Sequence, residues 1–134
     1  MNTVYLLEQD VEAIASMQRA SRDAGRNGLR ITHGLIGSDE WWTKIKSGTL
    51  KTHSVKGKIS GFWPGQWGDG PAEFELQTKD GQLSKWLCEM APNEAKKEYY
   101  IGRNVDVEFV VQELKSALEG SSNETNITIS ISFP

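Results

Sequence analysis

The side chains with the most chemistry to offer are two histidines, one cysteine and a scatter of carboxylates, and their spacing withholds it. His33 and His53 form neither a His-x-His nor a His-x-x-x-His pair, whereas a zinc site needs three or four ligands brought together. The one cysteine, Cys88, follows Trp86 and Leu87 and precedes Met90. A reactive thiol needs a base or a positive field; in apolar company a free cysteine packs as a small hydrophobe. Two carboxylates suffice for a glycosidase, but Glu73, Glu75, Asp106 and Glu108 occupy every second position of alternating segments, the pattern of a solvated strand face. No Gly-x-x-x-x-Gly-Lys-Ser/Thr, Gly-x-Gly-x-x-Gly or Gly-x-Ser-x-Gly motif is present. The glycine-rich stretch 65–70 precedes a strand pattern, so it lacks the helix N-terminus that would cradle a phosphate. Neither catalytic residues, nor a metal site, nor a cofactor is expected.

Tryptophan is the unusual residue. There are five, Trp41, Trp42, Trp63, Trp67 and Trp86. An adjacent pair on a helix cannot point the same way, so one of Trp41 and Trp42 is core and the other is left to the surface. Trp86 reads as core, and Trp63 closes a buried parity. Trp67 sits mid-loop among Gly, Gln and Asp, with no periodic pattern to bury it, as either a lid or an anchor. Aromatic anchors are what protein interfaces favour. The candidate binding residues are Trp63, Trp67 and Asp69 around this loop, Glu73 and Glu75 on the strand after it, and Trp42.

Strands must position these residues. Val55, Gly57, Ile59, Gly61 and Trp63 share one parity, as do Ala72, Phe74 and Leu76, then Val105, Val107, Phe109 and Val111, then Ile127, Ile129, Ile131 and Phe133. Period-two alternation builds a sheet with one dry side. The expected strands are 3–7, 50–63, 72–78, 83–90, 103–113 and 125–133, with 29–36 a strand or extended link. Gly57 and Gly61 mark a bulge or bend inside the long strand, and Asp80-Gly81 a hairpin turn. Asp10 caps a helix with an apolar stripe of Val11, Ile14, Met17 and Ala20. Ser38 caps a second, with Asp39 and Glu40 in its first turn and Lys44 and Lys46 in its last, the order the helix dipole favours. Residues 92–99 read as a short helix and 115–119 as a helical turn.

The fold class is therefore α+β, mostly β: a small curved antiparallel sheet, or a partly open OB-like barrel over about residues 50–133, preceded by an N-terminal strand and two short helices. Strand, strand, strand, short helix, strand, strand is the OB element order. A chain of 134 residues is expected to form a single domain, 1–134, in which the helical segment at residues 1–48 packs on the β region.

The net charge of −3 hides an asymmetry: residues 1–60 carry nine Lys/Arg against six Asp/Glu, and residues 61–134 six against twelve. With no apolar run long enough for a membrane span, no signal-peptide pattern at the N-terminus and one unpaired cysteine, the expected location is the cytoplasm. Two functions fit. One is a non-enzymatic protein-binding module, an inhibitor, an immunity-type protein or a small assembly subunit, acting through the aromatic loop and a β surface on another protein. Its uncharged β-branched last strand, if left at an edge, would support a homodimer. The alternative is an OB-like binder of oligosaccharide or single-stranded nucleic acid. Nucleic acid is disfavoured because Glu73, Glu75, Glu119 and Glu124 stand where a basic groove is needed.

Overall fold

Alternation governs the architecture, and interruptions of it decide which side chains reach the surface. The computed structural model describes residues 2–22, 33–64, 71–89, 99–113 and 124–134. Its strands are β1 (Asn2–Leu6), β2 (Thr52–Pro64), β3 (Pro71–Gln77), β4 (Leu83–Leu87), β5 (Asn104–Glu113) and β6 (Glu124–Phe133); its helices are α1 (Val11–Arg22) and α2 (Asp39–Ser47), with a 3-10 turn at Leu7–Gln9. The strands form one six-stranded sheet in the order β1-β6-β5-β2-β3-β4. The sheet is open: β1 and β4 end it instead of closing a barrel. This keeps the mostly β, α+β class and removes the barrel. Residues 125–133 are not at an edge, because β6 lies inside the sheet between β1 and β5, so the condition under which that strand would support a homodimer is not met. Of the segments expected to be helical, 92–99 and 115–119, all but Tyr99 lie outside the described residues, and Tyr99 is in no helix.

The chain falls into two compact units, one of residues 1–6, 54–108 and 130–134, the other of residues 7–53 and 109–129. In the first, β1 runs antiparallel to β6, with Asn2 opposite Phe133 and Tyr5 opposite Ile131, and a register shift between Thr3 and Tyr5. Ile59, Phe74, Leu76, Val105, Val107, Ile131 and Phe133 are buried there. The Tyr99 ring packs 5.4 Å from Phe74 and edge-on to Phe133 at 5.1 Å. Its hydroxyl donates to the Glu89 carbonyl, and burial pushes its phenol well above the ordinary value. Cys88 and Trp86 are buried as their apolar context implies.

The β3–β4 hairpin gets its register from the turn. Gly81, at φ +91°, occupies the left-handed position that closes a three-residue loop, and the Thr78 N–H donates to the Gln82 carbonyl at 2.9 Å. The Thr78 hydroxyl donates to the Asp80 carboxylate and holds its carboxyl below the usual range. Leu83 is thereby set opposite Gln77, Lys85 opposite Glu75, Trp86 opposite Phe74 and Leu87 opposite Glu73.

In the second unit, the Asp10 carboxylate accepts from Ala13 N at 3.1 Å and starts α1 as expected. Of the expected stripe, Ile14, Met17 and Ala20 are partly buried, but Val11 is 74% exposed. Position N1 lies beyond the face that packs. Residues 33–36 form a turn and not a strand, closed by Ser38 N donating to the Leu35 carbonyl at 2.9 Å. Gln18 Nε2 ties α1 to that turn through the Ile36 carbonyl, 2.9 Å away. Ser38 caps α2 by accepting from Trp41 N, and Gly48, at φ +82°, ends it. Trp41 is wholly buried, and Trp42 meets it edge-on at 4.8 Å. Leu7, Ile36, Leu50, Val110, Ile127 and Ile129 complete this core. In β5 the dry parity changes: Val105 and Val107 are buried, then Val110 and Gln112, so Phe109 and Val111 are only half-buried.

Candidate functional site

A β-bulge in β2 makes the surface. Ile59 stands opposite Leu76, but the register shifts before Gly61, which stands opposite Glu75; Phe62 then faces Phe74 and Trp63 faces Glu73. Residues directly opposite share a face. One extra residue at Ser60 therefore swaps the parity of everything after it. Phe62 turns inward beside buried Phe74, and Trp63, expected to close the buried row, turns outward and is 44% exposed. The bend that the interior glycines implied is present, and its consequence is an exposed tryptophan.

Trp63, Glu73 and Leu87 form one cross-strand row, and Gly61, Glu75 and Lys85 the next. Trp63 and Leu87 stand two strand spacings apart, about 10 Å, with Glu73 between them. Leu83 and Leu87 are 59% and 53% exposed. The Lys85 ammonium lies over the Trp63 ring, 3.8 Å from its centroid, and Ser60 Oγ donates to Glu75 Oε1 at 2.9 Å. The outer face of β2–β4 thus presents three apolar side chains around two carboxylates and one ammonium.

Of the residues expected in a binding surface, the structure brings Trp63, Glu73 and Glu75 together. Trp42 belongs to the other compact unit, and Trp67 and Asp69 lie outside the described residues. Leu83, Lys85 and Leu87 escaped sequence reasoning, although the signal was there. The Asp80-Gly81 turn fixes the register, and that register sets both leucines opposite the outward Gln77 and Glu73.

His53 stacks on Phe109 at 5.5 Å. A cavity of about 680 Å³ in the first unit gathers Lys56, Lys58 and Lys79 around Gly57 and Gln77, and Lys56 Nζ is 3.7 Å from Asp106. No histidine, cysteine, aspartate or glutamate is among its described lining residues. Among the described residues, no three His, Cys, Asp or Glu side chains gather where an ion would sit, and no helix is long and apolar enough to cross a membrane.

An open antiparallel sheet whose outer face carries an aromatic and two leucines has the composition of a surface that binds another protein. The particular kind follows from the whole chain. A family model described as Immunity protein RhsI2 matches residues 1–134, and the chain belongs to that family: it is an immunity-type protein that acts by binding another protein. No curated protein matches the chain. The family match gives no support to the reading as an OB-like binder of oligosaccharide or single-stranded nucleic acid.

Proposed function

We propose that this protein neutralises a toxin by stoichiometric binding, without catalysis, through the outer face of β2–β4. The observation that carries the proposal is the row Trp63–Glu73–Leu87 with Leu83 beside it. Large, rigid, partly exposed apolar groups ringed by charges are the composition of interface hot spots. Trp63 is the anchor, Leu83 and Leu87 widen the contact, and Glu73 and Glu75 orient a partner that offers hydrogen-bond donors or cations. Trp67 and Asp69 follow Trp63 in the chain and lie outside the described residues. A cytoplasmic site of action is included in the proposal, supported by the single buried thiol, Cys88.

The test is co-expression of the toxin with the wild-type chain or with Leu83→Asp/Leu87→Asp. Both leucines are exposed in the free protein, so the double variant is expected to fold, to keep its melting temperature within a few degrees, and to fail to protect cells. Full protection by a folded double variant would place the interface elsewhere.

A further inference from the structure

The proposed face ends at a sheet edge, and the geometry of that edge says how a partner engages it. β4 is the last strand of the sheet, and among the described residues β3 is its one strand neighbour. Antiparallel ladders alternate between hydrogen-bonded and non-hydrogen-bonded pairs. The Thr78–Gln82 bond, at 2.9 Å, sets the phase. Two residues further along each time, Leu76–Ser84 and Phe74–Trp86 are the hydrogen-bonded pairs of the observed register. Ser84 and Trp86 therefore turn their backbone groups toward β3, while Leu83, Lys85 and Leu87 turn theirs away from it. Leu87 O is taken by Glu89 N at 2.8 Å. Among the described residues, what remains is a row of N–H and C=O groups on Leu83 and Lys85 and the N–H of Leu87, about 14 Å long at the usual strand rise.

Edge strands are normally blunted by proline, by bulges or by a charged side chain reaching past the edge. β4 contains no proline, and its five pairs with β3 run without a register shift. Its one charge, Lys85, is drawn back over the Trp63 ring. We infer that the toxin engages this edge by strand addition: an extended segment of the toxin pairs with β4, with apolar side chains opposite Leu83 and Leu87 and an acidic side chain opposite Lys85. Main-chain bonds give such a contact its affinity, and the alternate side chains its specificity. The acidic residue follows from charge complementarity, because Lys85 is the centre of the outward row and like charges directly opposite are unfavourable. The inference rests on the toxin-binding reading above and adds the mode of contact.

Four variants and one exchange measurement, all on the full chain with the purified toxin, test it. Lys85→Pro removes an N–H that faces away from β3, so the hairpin keeps its ladder. It is expected to weaken binding tenfold or more, whereas Lys85→Ala weakens it less than about threefold and Lys85→Glu more than Lys85→Ala. Hydrogen exchange of the wild-type complex is expected to show the Leu83 and Lys85 amides protected relative to the free protein, a readout that stands even where the proline variant fails to fold. Unprotected amides, in a complex that Trp63→Ala still weakens, would overturn strand addition and leave the face as the interface. A complex indifferent to both Trp63→Ala and Lys85→Pro would remove the face as well.

Discussion

Trp63→Ala separates binding from stability, because the bulge leaves this side chain divided between the two. Trp63 is 44% exposed. A tryptophan offers up to about 250 Å², so about 110 Å² remains to be covered by a partner. At about 25 cal/mol per Å², that area is worth about 2.8 kcal/mol, or about a hundredfold in Kd. The buried remainder rests on the β3 face and under the Lys85 ammonium, 3.8 Å from the ring centroid. An exposed cation–π contact contributes about 0.5–1 kcal/mol. The buried area, about 140 Å², is worth about 3.5 kcal/mol, so losing it and that contact is expected to cost up to about 4 kcal/mol of folding stability. Isothermal titration of the toxin gives the first quantity and urea unfolding the second. Trp63→Phe keeps an aromatic ring and is expected to recover more than half of each. A Kd within threefold of wild type, measured on folded Trp63→Ala, would refute the reasoning, since it would show that the exposed area is never covered.

Gly57→Ala is expected to destabilise the protein by about 1–3 kcal/mol in urea unfolding, because overpacking is costly where nothing can move aside. A Cβ there would stand 2.2 Å from the Gln77 carbonyl oxygen, a backbone atom. Trp41→Phe is expected to cost no more than about 1.5 kcal/mol against about 3–5 for Trp41→Ala. The Trp41 Nε1 is buried with no hydrogen-bond partner among the described residues, so losing it offsets some of the lost volume; a phenylalanine variant as unstable as the alanine one would contradict this. Tyr99 makes stability fall at alkaline pH. Its phenol is raised from 10.0 in the folded state, so the unfolded chain releases the proton first. The contribution is complete below about pH 10 and declines above it by up to about 1.4 kcal/mol per pH unit. Tyr99→Phe is expected to flatten that decline, and an unchanged slope in pH-dependent unfolding would count against it.

How much of this was legible in the sequence depended on whether a local rule could be heard above the tertiary context. Both helix caps were legible, because Asp10 and Ser38 act on N–H groups within three residues. The β6 parity was legible in full: Ile127, Ile129, Ile131 and Phe133 are all buried. The parity of β2 and β5 was legible only over their first halves. A bulge is one extra residue with no composition of its own. Gly57 and Gly61 announced that β2 was irregular without saying that the irregularity fell at Ser60, and that placement decides whether Trp63 or Phe62 faces the core. Strand order was not legible at all. Element order alone suited a barrel, while the observed order sets β6 beside β1 and β5 and leaves β4 at an edge, a choice made by pairings between residues more than a hundred positions apart.

The same distinction explains why the function was half legible. Catalysis recruits side chains of few types at fixed spacings, so a sequence can announce it. Recognition of another protein is not tied to fixed residue types at fixed spacings; it can rest on a stable platform with apolar groups on the solvent side of a strand. Leu83 and Leu87 look like core residues until the turn at Asp80-Gly81 is allowed to set their partners. Once Leu87 stands opposite Glu73 and Trp86 opposite Phe74, one of the two adjacent residues must be exposed, and Phe74 is wholly buried. The leucine is therefore the one left outside. An apolar side chain that the fold cannot bury by itself is the feature another protein can cover, and in this chain three of them share one face.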